Sequence, residues 1–369
     1  MNKHLAIIGA SYLQLPLIEK AKEMGFTTHV FAWAANDVGE KAADYFYPIS
    51  ITEVDAITGK CKEIGICGIC SIATDLGNYT VNYVANKLGL PGNSMECALM
   101  STNKHLMRQA FERCGDPSPK SVMVDGTTDL SALQLDYPII VKPTDRSGSR
   151  GIFKLENAEG LENAVRAALD AGFEKKALIE EFAEGQEYSV EGISFNGVHH
   201  ILAMTLKYTT GAPHFIETGH LEPAPVSEEM LEQVKAVVVH ALDTLEIKNS
   251  ASHSEVKIDD KGNIRIIEIG SRMGGDAIGT DLVYYSTGVD YVKAVIDVAC
   301  GREPDLHPIR QGCSVESCFI LTEDDLKEFE RLKAEEPNKI LHVIDDKHLH
   351  LIGKTTNSSD RAGCYIVKR

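Results

Sequence analysis

Over its first ninety residues the chain alternates short apolar runs with amphipathic stretches, and that alternation limits the fold more than any other feature. Residues 4–8 are an apolar run, Gly9-Ala10-Ser11 a turn, and residues 13–24 an amphipathic stretch of helical period ending at Gly25. Residues 28–33 and 66–72 read as further strands, and a helix through residues 81–88 stops at Gly89 and Pro91. Apolar strands alternating with helices imply a parallel sheet covered on both faces, since each crossover lays a helix across it. The loop after the first strand has one glycine rather than G-x-G-x-x-G, so a dinucleotide site is poorly supported there. The segment reads instead as a substrate-side α/β domain.

From Ser101 the texture changes. A helix over residues 102–114 ends in Gly115 and the connector Pro117-Ser118-Pro119. Strands follow at 138–142, 152–155, 177–182 and 188–195, with helices at 161–171 and 228–245. Strands in runs with segregated helices read as α+β. Beyond about Pro304 come a strand at 314–321, a charged helix at 324–334 and a short strand at 364–367.

Composition narrows the function. The 369 residues include 37 Lys plus Arg against 54 Asp plus Glu, a formal net charge of −17. That acid excess argues against nucleic acid or an anionic membrane as partner, because both need basic faces. It leaves room for a small anionic ligand held by a few local cations. With 43% hydrophobic and 25% charged residues the chain is globular with a large core, not disordered, collagenous or coiled coil. No apolar stretch of signal-peptide length opens it, and its longest mostly apolar runs fall far short of the roughly 20 residues of a membrane span. Nine cysteines, an odd number scattered through apolar segments, suggest reduced thiols in a cytoplasm. Cys67-Gly68-Ile69-Cys70 spells C-x-x-C, yet it lies in an apolar run with no second Cys pair or His cluster nearby. It reads as buried strand cysteines rather than a redox or zinc site.

Three segments carry chemistry. Residues 254–268, S-E-V-K-I-D-D-K-G-N-I-R-I-I-E, are two β-rich runs around a polar turn, a hairpin signal. With Lys261 and Gly262 as the two loop residues, Glu255 lies opposite Glu268 on one face, Cβ atoms roughly 4.5–5.5 Å apart. Facing like charges destabilise a sheet unless something sits between them, and a hard cation such as Mg²⁺ on a substrate phosphate suits carboxylate oxygens. Two solvated glutamates on an exposed face are the plainer alternative. Residues 139–151, I-I-V-K-P-T-D-R-S-G-S-R-G, deliver Lys142 at the end of a buried strand and then a Ser/Gly loop with two arginines. Backbone N–H groups of such a loop can close around phosphate, although a surface turn has the same composition. Residues 178–192, L-I-E-E-F-A-E-G-Q-E-Y-S-V-E-G, are a strand, an acidic linker and another strand. They suit an adenine at apolar backbone edges and a ribose diol on a carboxylate, or any acidic β connection.

In this order the segments resemble the ATP-grasp superfamily of carboxylate–amine ligases: a leading α/β domain, a helical lysine (Lys104), V-K-P with its loop, E-E-F-x-x-G-x-E, then E-V-K and I-E-I with Arg272 beyond. The resemblance covers roughly residues 3–301. It implies an α/β pre-ATP-grasp domain over 1–98, an α+β ATP-grasp domain over 99–303 with a nucleotide lid at about 118–192, and a small C-terminal α/β subdomain over 304–369. It implies that Lys104 and Lys142 hold ATP phosphates under a lid loop containing Ser147, Gly148, Ser149 and Gly151. Glu180, Glu181 and the backbone of Phe182 would meet adenine, and Glu187 the ribose. Glu255 and Glu268 would ligate Mg²⁺, two ions being expected, with Mn²⁺ able to substitute.

Many members have E-x-N-x-R at the second carboxylate, whereas this chain has Glu268-Ile269-Gly270-Ser271-Arg272 and lacks the Asn. The departure is shared in kind by ligases that join two free amino acids, to which the resemblance is nearest. Arg272-Met273-Gly274-Gly275-Asp276 resembles their R-x-G-G-D. Residues 215–220, F-I-E-T-G-H, resemble a pocket segment in which Glu217 and His220 meet the substrate amine region. The resemblance implies small carboxylate and amine partners, amide formation through an acyl phosphate with release of ADP and phosphate, and Lys142 and Arg272 as catalytic residues. A homodimer is a further expectation. Competing readings are a sugar-amine ligase of purine synthesis, a carbamoyl-phosphate-synthase-like enzyme, and a nucleotide-binding protein without catalysis.

Overall fold

A computed structural model describes residues 3–146, 148, 150–212, 215–345, 348–354 and 361–369. The N-terminal unit contains β1 (His4–Ile8), α1 (Leu15–Glu23), β2 (Thr27–Ala32), α2 (Val38–Ala42), β3 (Tyr45–Pro48), α3 (Val54–Ile64), β4 (Gly68–Cys70) and α4 (Asp75–Leu88). Its sheet is parallel throughout, in the order β3-β2-β1-β4. The expected alternation is present, but β3, α2 and α3 were not foreseen. β3 is an edge strand with exposed ends, so it lacks the apolar run that marks a buried parallel strand. Helix α4 begins at Asp75, six residues before the stretch read from sequence, because the Thr74 side chain accepts the Gly77 N–H and caps it.

Two short helices, α5 (Met95–Met100) and α6 (Lys104–Cys114), lead into a second unit. Its strands β5 (Ser121–Asp125), β6 (Ile139–Pro143) and β7 (Phe153–Leu155), helix α7 (Leu161–Ala171) and strand β8 (Lys176–Glu181) form an antiparallel sheet in the order β5-β8-β6-β7. Leu161, Ala164, Val165 and Ala168 give α7 one apolar stripe, which is buried against Val141 and Ile179 of the sheet.

The third unit is an eight-stranded sheet. Strands β9 (Gln186–Phe195), β10 (Val198–Thr209) and β11 (Glu217–Glu222) precede helix α8 (Glu228–Thr244), then come β12 (Ser250–Ile258) and β13 (Ile264–Gly270). After α9 (Val283–Thr287) and α10 (Tyr291–Ala299) follow β14 (Val315–Ile320), α11 (Glu323–Glu335), β15 (Ile340–Asp345) and β16 (Gly363–Lys368). The order is β13-β12-β9-β10-β11-β14-β16-β15. β9 belongs to this sheet, and the lid sheet's last strand ends at Glu181. β14 pairs with β11 and carries the sheet on through β16 and β15. Helix α10 is buried along most of its length and shares a core with α1, Ile193 and Ala251, which joins the N-terminal unit to the large sheet.

Candidate active site

The hairpin of β12 and β13 does set Glu255 opposite Glu268, but by another route than the expected turn. The loop has three residues, 260–262. Asp259 closes it, donating its N–H to the Asn263 carbonyl at 3.1 Å, and Gly262 supplies the left-handed position at φ +82°. That shifts the register by one residue near the turn. A bulge at Ile267 shifts it back between Val256 and Glu255. The bulge carbonyl is taken by Arg108 Nη2 at 2.7 Å.

The two glutamates line a cavity of about 1100 Å³, open mouth included, between the lid sheet and the large sheet. Each is held by a buried lysine. Lys104 opens α6, whose N-cap Asn103 accepts from His105 and Leu106 N–H groups, and its Nζ donates to Glu268 Oε1 and to the Arg146 carbonyl, both at 2.8 Å. Lys207 of β10 sits among three carboxylates: it pairs with Glu255, with Glu187 at 2.9 Å and with Glu217 at 3.9 Å. Burial works against the charge of Lys207, yet the surrounding carboxylates win and hold its pKa well above that of a free lysine. The same contest, burial against Lys207 and His253, leaves Glu255 well below the usual carboxylate range. Nearby carboxylates likewise raise the Lys104 pKa against burial, so both lysines stay charged while Glu255 stays anionic, the state a divalent cation and a polyphosphate require. The donor set fits Mg²⁺: two opposed carboxylates, with the remaining oxygens left to phosphates and water.

Lys142 ends β6 in the same cavity and is ion-paired to Glu180 at 2.6 Å. Arg108 pairs with the other Glu180 oxygen at 2.9 Å. Glu180 is thus a buried counter-ion for two cations, and its carboxylate is spent on them. Burial lowers the Lys142 pKa despite Glu180. Glu181, Phe182 and Glu187 line the cavity. The N–H groups of Glu181 and Phe182 are already donated to Lys120 and Pro138 carbonyls at 3.0 and 3.1 Å, so that segment offers an incoming base carbonyl edges. The Phe182 ring carries Lys154 and Lys257 over it at 4.1 and 4.9 Å. Of the loop residues, Gly148 lines the cavity, whereas Gly151 packs beside Pro143 and Ala171 at its base. Ser147 and Ser149 lie outside the described residues.

Arg272 also lines the cavity, its Nε donating to Asp75 Oδ1 of α4 at 2.7 Å. Despite burial, Asp75 raises the Arg272 pKa, so the guanidinium is permanently charged. Gly274 donates its N–H to Glu191 Oε2 at 3.2 Å, and a Cβ there would stand 2.6 Å from His253 Nδ1, so only glycine fits. His253 pairs with Glu191, lies 3.6 Å from Glu255, and keeps its proton with a pKa raised to about 9, these carboxylates outweighing burial.

The substrate-side residues divide. Glu217 faces the first cavity and pairs with Arg361 at 2.8 Å, while Gly274 and Gly275 line a second cavity beyond it. His220 is fully buried behind Asp276 and lines neither cavity. Lys207, Arg108, Asp75, His253, Glu191 and Arg361 were missed. Lys207 alone had a readable signal, a lysine within the mostly apolar strand run 203–208.

Residues 135–281, which carry most of this site, match the ATP-grasp domain family. More particularly, the chain is similar to ligases of amino acids. It is 27% identical over 323 residues to the alanine–anticapsin ligase of Bacillus subtilis, covering 77% of this chain and 68% of that one. Across three such Bacillus ligases the aligned part is 55% to 68% of their length. An L-amino acid ligase from Bacillus licheniformis has the same fold, with a TM-score of 0.82 at 22% identity over 100% of this chain and 93% of that one. So does a phosphoribosylglycinamide synthetase from Anaerococcus prevotii, TM-score 0.77 at 22% identity over 100% and 94%.

Proposed function

We propose that the chain is an ATP-dependent carboxylate–amine ligase that joins two amino acids and releases ADP and phosphate. The observation that carries this reading is one cavity in which Glu255 and Glu268 face each other, each bound to a buried lysine, with Lys142 and Arg272 among the same lining residues. Lys104 and Lys142 hold the phosphates, exchanging or sharing their carboxylate partners with phosphate oxygens. The bound Mg²⁺ would offset charge on the transferred phosphoryl group. Two ions, and Mn²⁺ in place of Mg²⁺, belong to the same proposal, as do adenine on the Glu181–Phe182 edge, the ribose on Glu187 and a lid formed by the loop through Gly148 and Gly151.

In the first step an oxygen of one substrate carboxylate attacks the γ-phosphorus, the bond to the bridging oxygen breaks and ADP leaves. In the second, the other substrate's neutral amine nitrogen attacks the acyl carbon, the carbon–oxygen bond to phosphate breaks, and the nitrogen's proton leaves on the departing phosphate as hydrogen phosphate. Arg272, fixed by Asp75, faces the charge that builds on the carbonyl oxygen. Gly274 has already spent its N–H on Glu191, which leaves Gly275 as the backbone donor.

A sugar-phosphate substrate is disfavoured by charge, since Arg361 is the one guanidinium lining the second cavity among the described residues and it is shared by two carboxylates. Nine free thiols suit a reducing cytoplasm, and no helix among the described residues is long and apolar enough to cross a membrane. The domain division at about 98 and 303, and a homodimer, are further parts of the proposal.

The test is phosphate release with Mg·ATP, pairs of amino acids against single ones. Release only with certain pairs supports the reading. ATP binding without release across the panel rejects amino acids as substrates, and failure to bind ATP rejects the whole proposal.

A further inference from the structure

Beside the catalytic cavity lies a second one of about 1240 Å³, open mouth included, built from all three parts of the chain. Leu13, Pro16 and Glu19 come from the N-terminal unit, Asp276 to Asp281 from the segment after Arg272, and Phe319 and Arg361 from the C-terminal strands. The wall between the cavities is an ion-pair cluster. Arg361 reaches Glu217 and Asp276, both at 2.8 Å, and its guanidinium stacks 3.8 Å from the Phe319 ring centroid. Behind it, fully buried His220 brings Nε2 to 3.8 Å from Asp276, and neither of its ring nitrogens has a hydrogen-bond partner among the described residues. Burial holds that imidazole below its usual pKa, so it adds no positive charge.

The charge balance of this cavity is one-sided. Glu19, Asp276 and Asp281 line it directly, against the guanidinium of Arg361, while Glu217 at its wall is shared by Arg361 and Lys207 and adds nothing to the surplus. His342 pairs with Asp281 at 2.6 Å and offsets one carboxylate when protonated. The surplus is negative, while the walls between the charges are apolar: Leu13, Pro16, Ala277, Phe319 and Leu351. An apolar channel with anionic groups suits a methylene chain ending in a cation. A neutral or acidic side chain would leave the carboxylates without a counter-charge.

Resting on the ligase reading above, we propose that the second cavity holds the amine substrate and selects an amino acid with a basic side chain, its methylenes along the apolar wall and its cationic head toward Glu19 and Asp281. Lysine, ornithine and arginine have this form. Norleucine has lysine's chain length without the charge.

The experiment is calorimetric binding of lysine, arginine, norleucine and glutamate to the full chain with Mg²⁺ and a non-hydrolysable ATP analogue, followed by phosphate release with each amino acid beside an alanine partner. Lysine or arginine should bind at least about 10-fold tighter than norleucine, a discrimination of the size expected when an unpaired charge is left behind. Glu19→Gln, at an exposed position that does not threaten folding, should reduce that preference several-fold, and Asp281→Asn should reduce it further. Norleucine binding as well as lysine, or a preference unchanged in both variants, overturns the proposal. Basic amino acids that bind selectively without phosphate release from any pair would sustain the cavity's selectivity and reject the ligase reading; release with neutral pairs and no basic preference would do the reverse.

Discussion

Replacing Glu222 by Gln should remove a specific part of the pH dependence of stability. Glu222 ends β11, is fully buried, and accepts from Thr205 Oγ1 at 2.6 Å and from the Ser286 hydroxyl. Burial outweighs those two hydroxyls and pushes its pKa up to about 8 from an ordinary 4.5. Between those values the folded chain keeps a proton that the unfolded chain has lost. Stability from this group is therefore full below about pH 4.5 and falls as pH rises toward 8, the reverse of an ion-paired carboxylate. At roughly 1.36 kcal/mol per pH unit, the stretch from pH 5.5 to 8 is worth about 3 kcal/mol. Glutamine keeps the shape and can both donate to and accept from the two hydroxyls. The assay is thermal or urea unfolding of both proteins at pH 5.5, 7 and 8.5. Relative to wild type, Glu222→Gln should gain about 3 kcal/mol across that range, a shift of roughly 5 °C in Tm for a chain of this size. A difference that stays constant with pH would show that Glu222 is ionised in the folded state and refute the argument.

Three further outcomes are expected. Glu268→Gln should leave the protein folded and lower ATP turnover by roughly 100-fold or more, the scale of losing one preorganised charge group; normal turnover would remove the metal-site argument. Lys207→Met strips the shared cation from Glu187, Glu217 and Glu255 and should cost about 3 kcal/mol or more in unfolding experiments, part of it restored by millimolar Mg²⁺. A melt that is unchanged, or that ignores Mg²⁺, would contradict the cluster as described. The double variant Cys67→Ser, Cys70→Ser should keep nearly all activity, because burial holds the Cys70 thiol well above its ordinary pKa and unreactive; a large loss would revive a redox role.

The sequence by itself determined the parts that depend on neighbours along the chain. Period and punctuation were enough for the parallel N-terminal sheet, for α7 and for Lys142 at the end of β6. They were also enough for the carboxylate pair, although there the structure reached the expected register through a three-residue turn and a compensating bulge. A ladder carries its own register over a few residues, so such features leave a local trace. Tertiary structure alone decided which charges meet. Arg272 finds Asp75 across 197 residues and Arg361 finds Glu217 across 144, and no periodicity relates residues so far apart. It also turned Glu180 inward as the counter-ion of Arg108 and Lys142, buried His220 behind Asp276, and drew the C-terminal strands into the large sheet. The second cavity is the plainest case. Its walls come from both ends of the chain and from the segment after Arg272, so its shape and surplus negative charge arise only when those segments pack together.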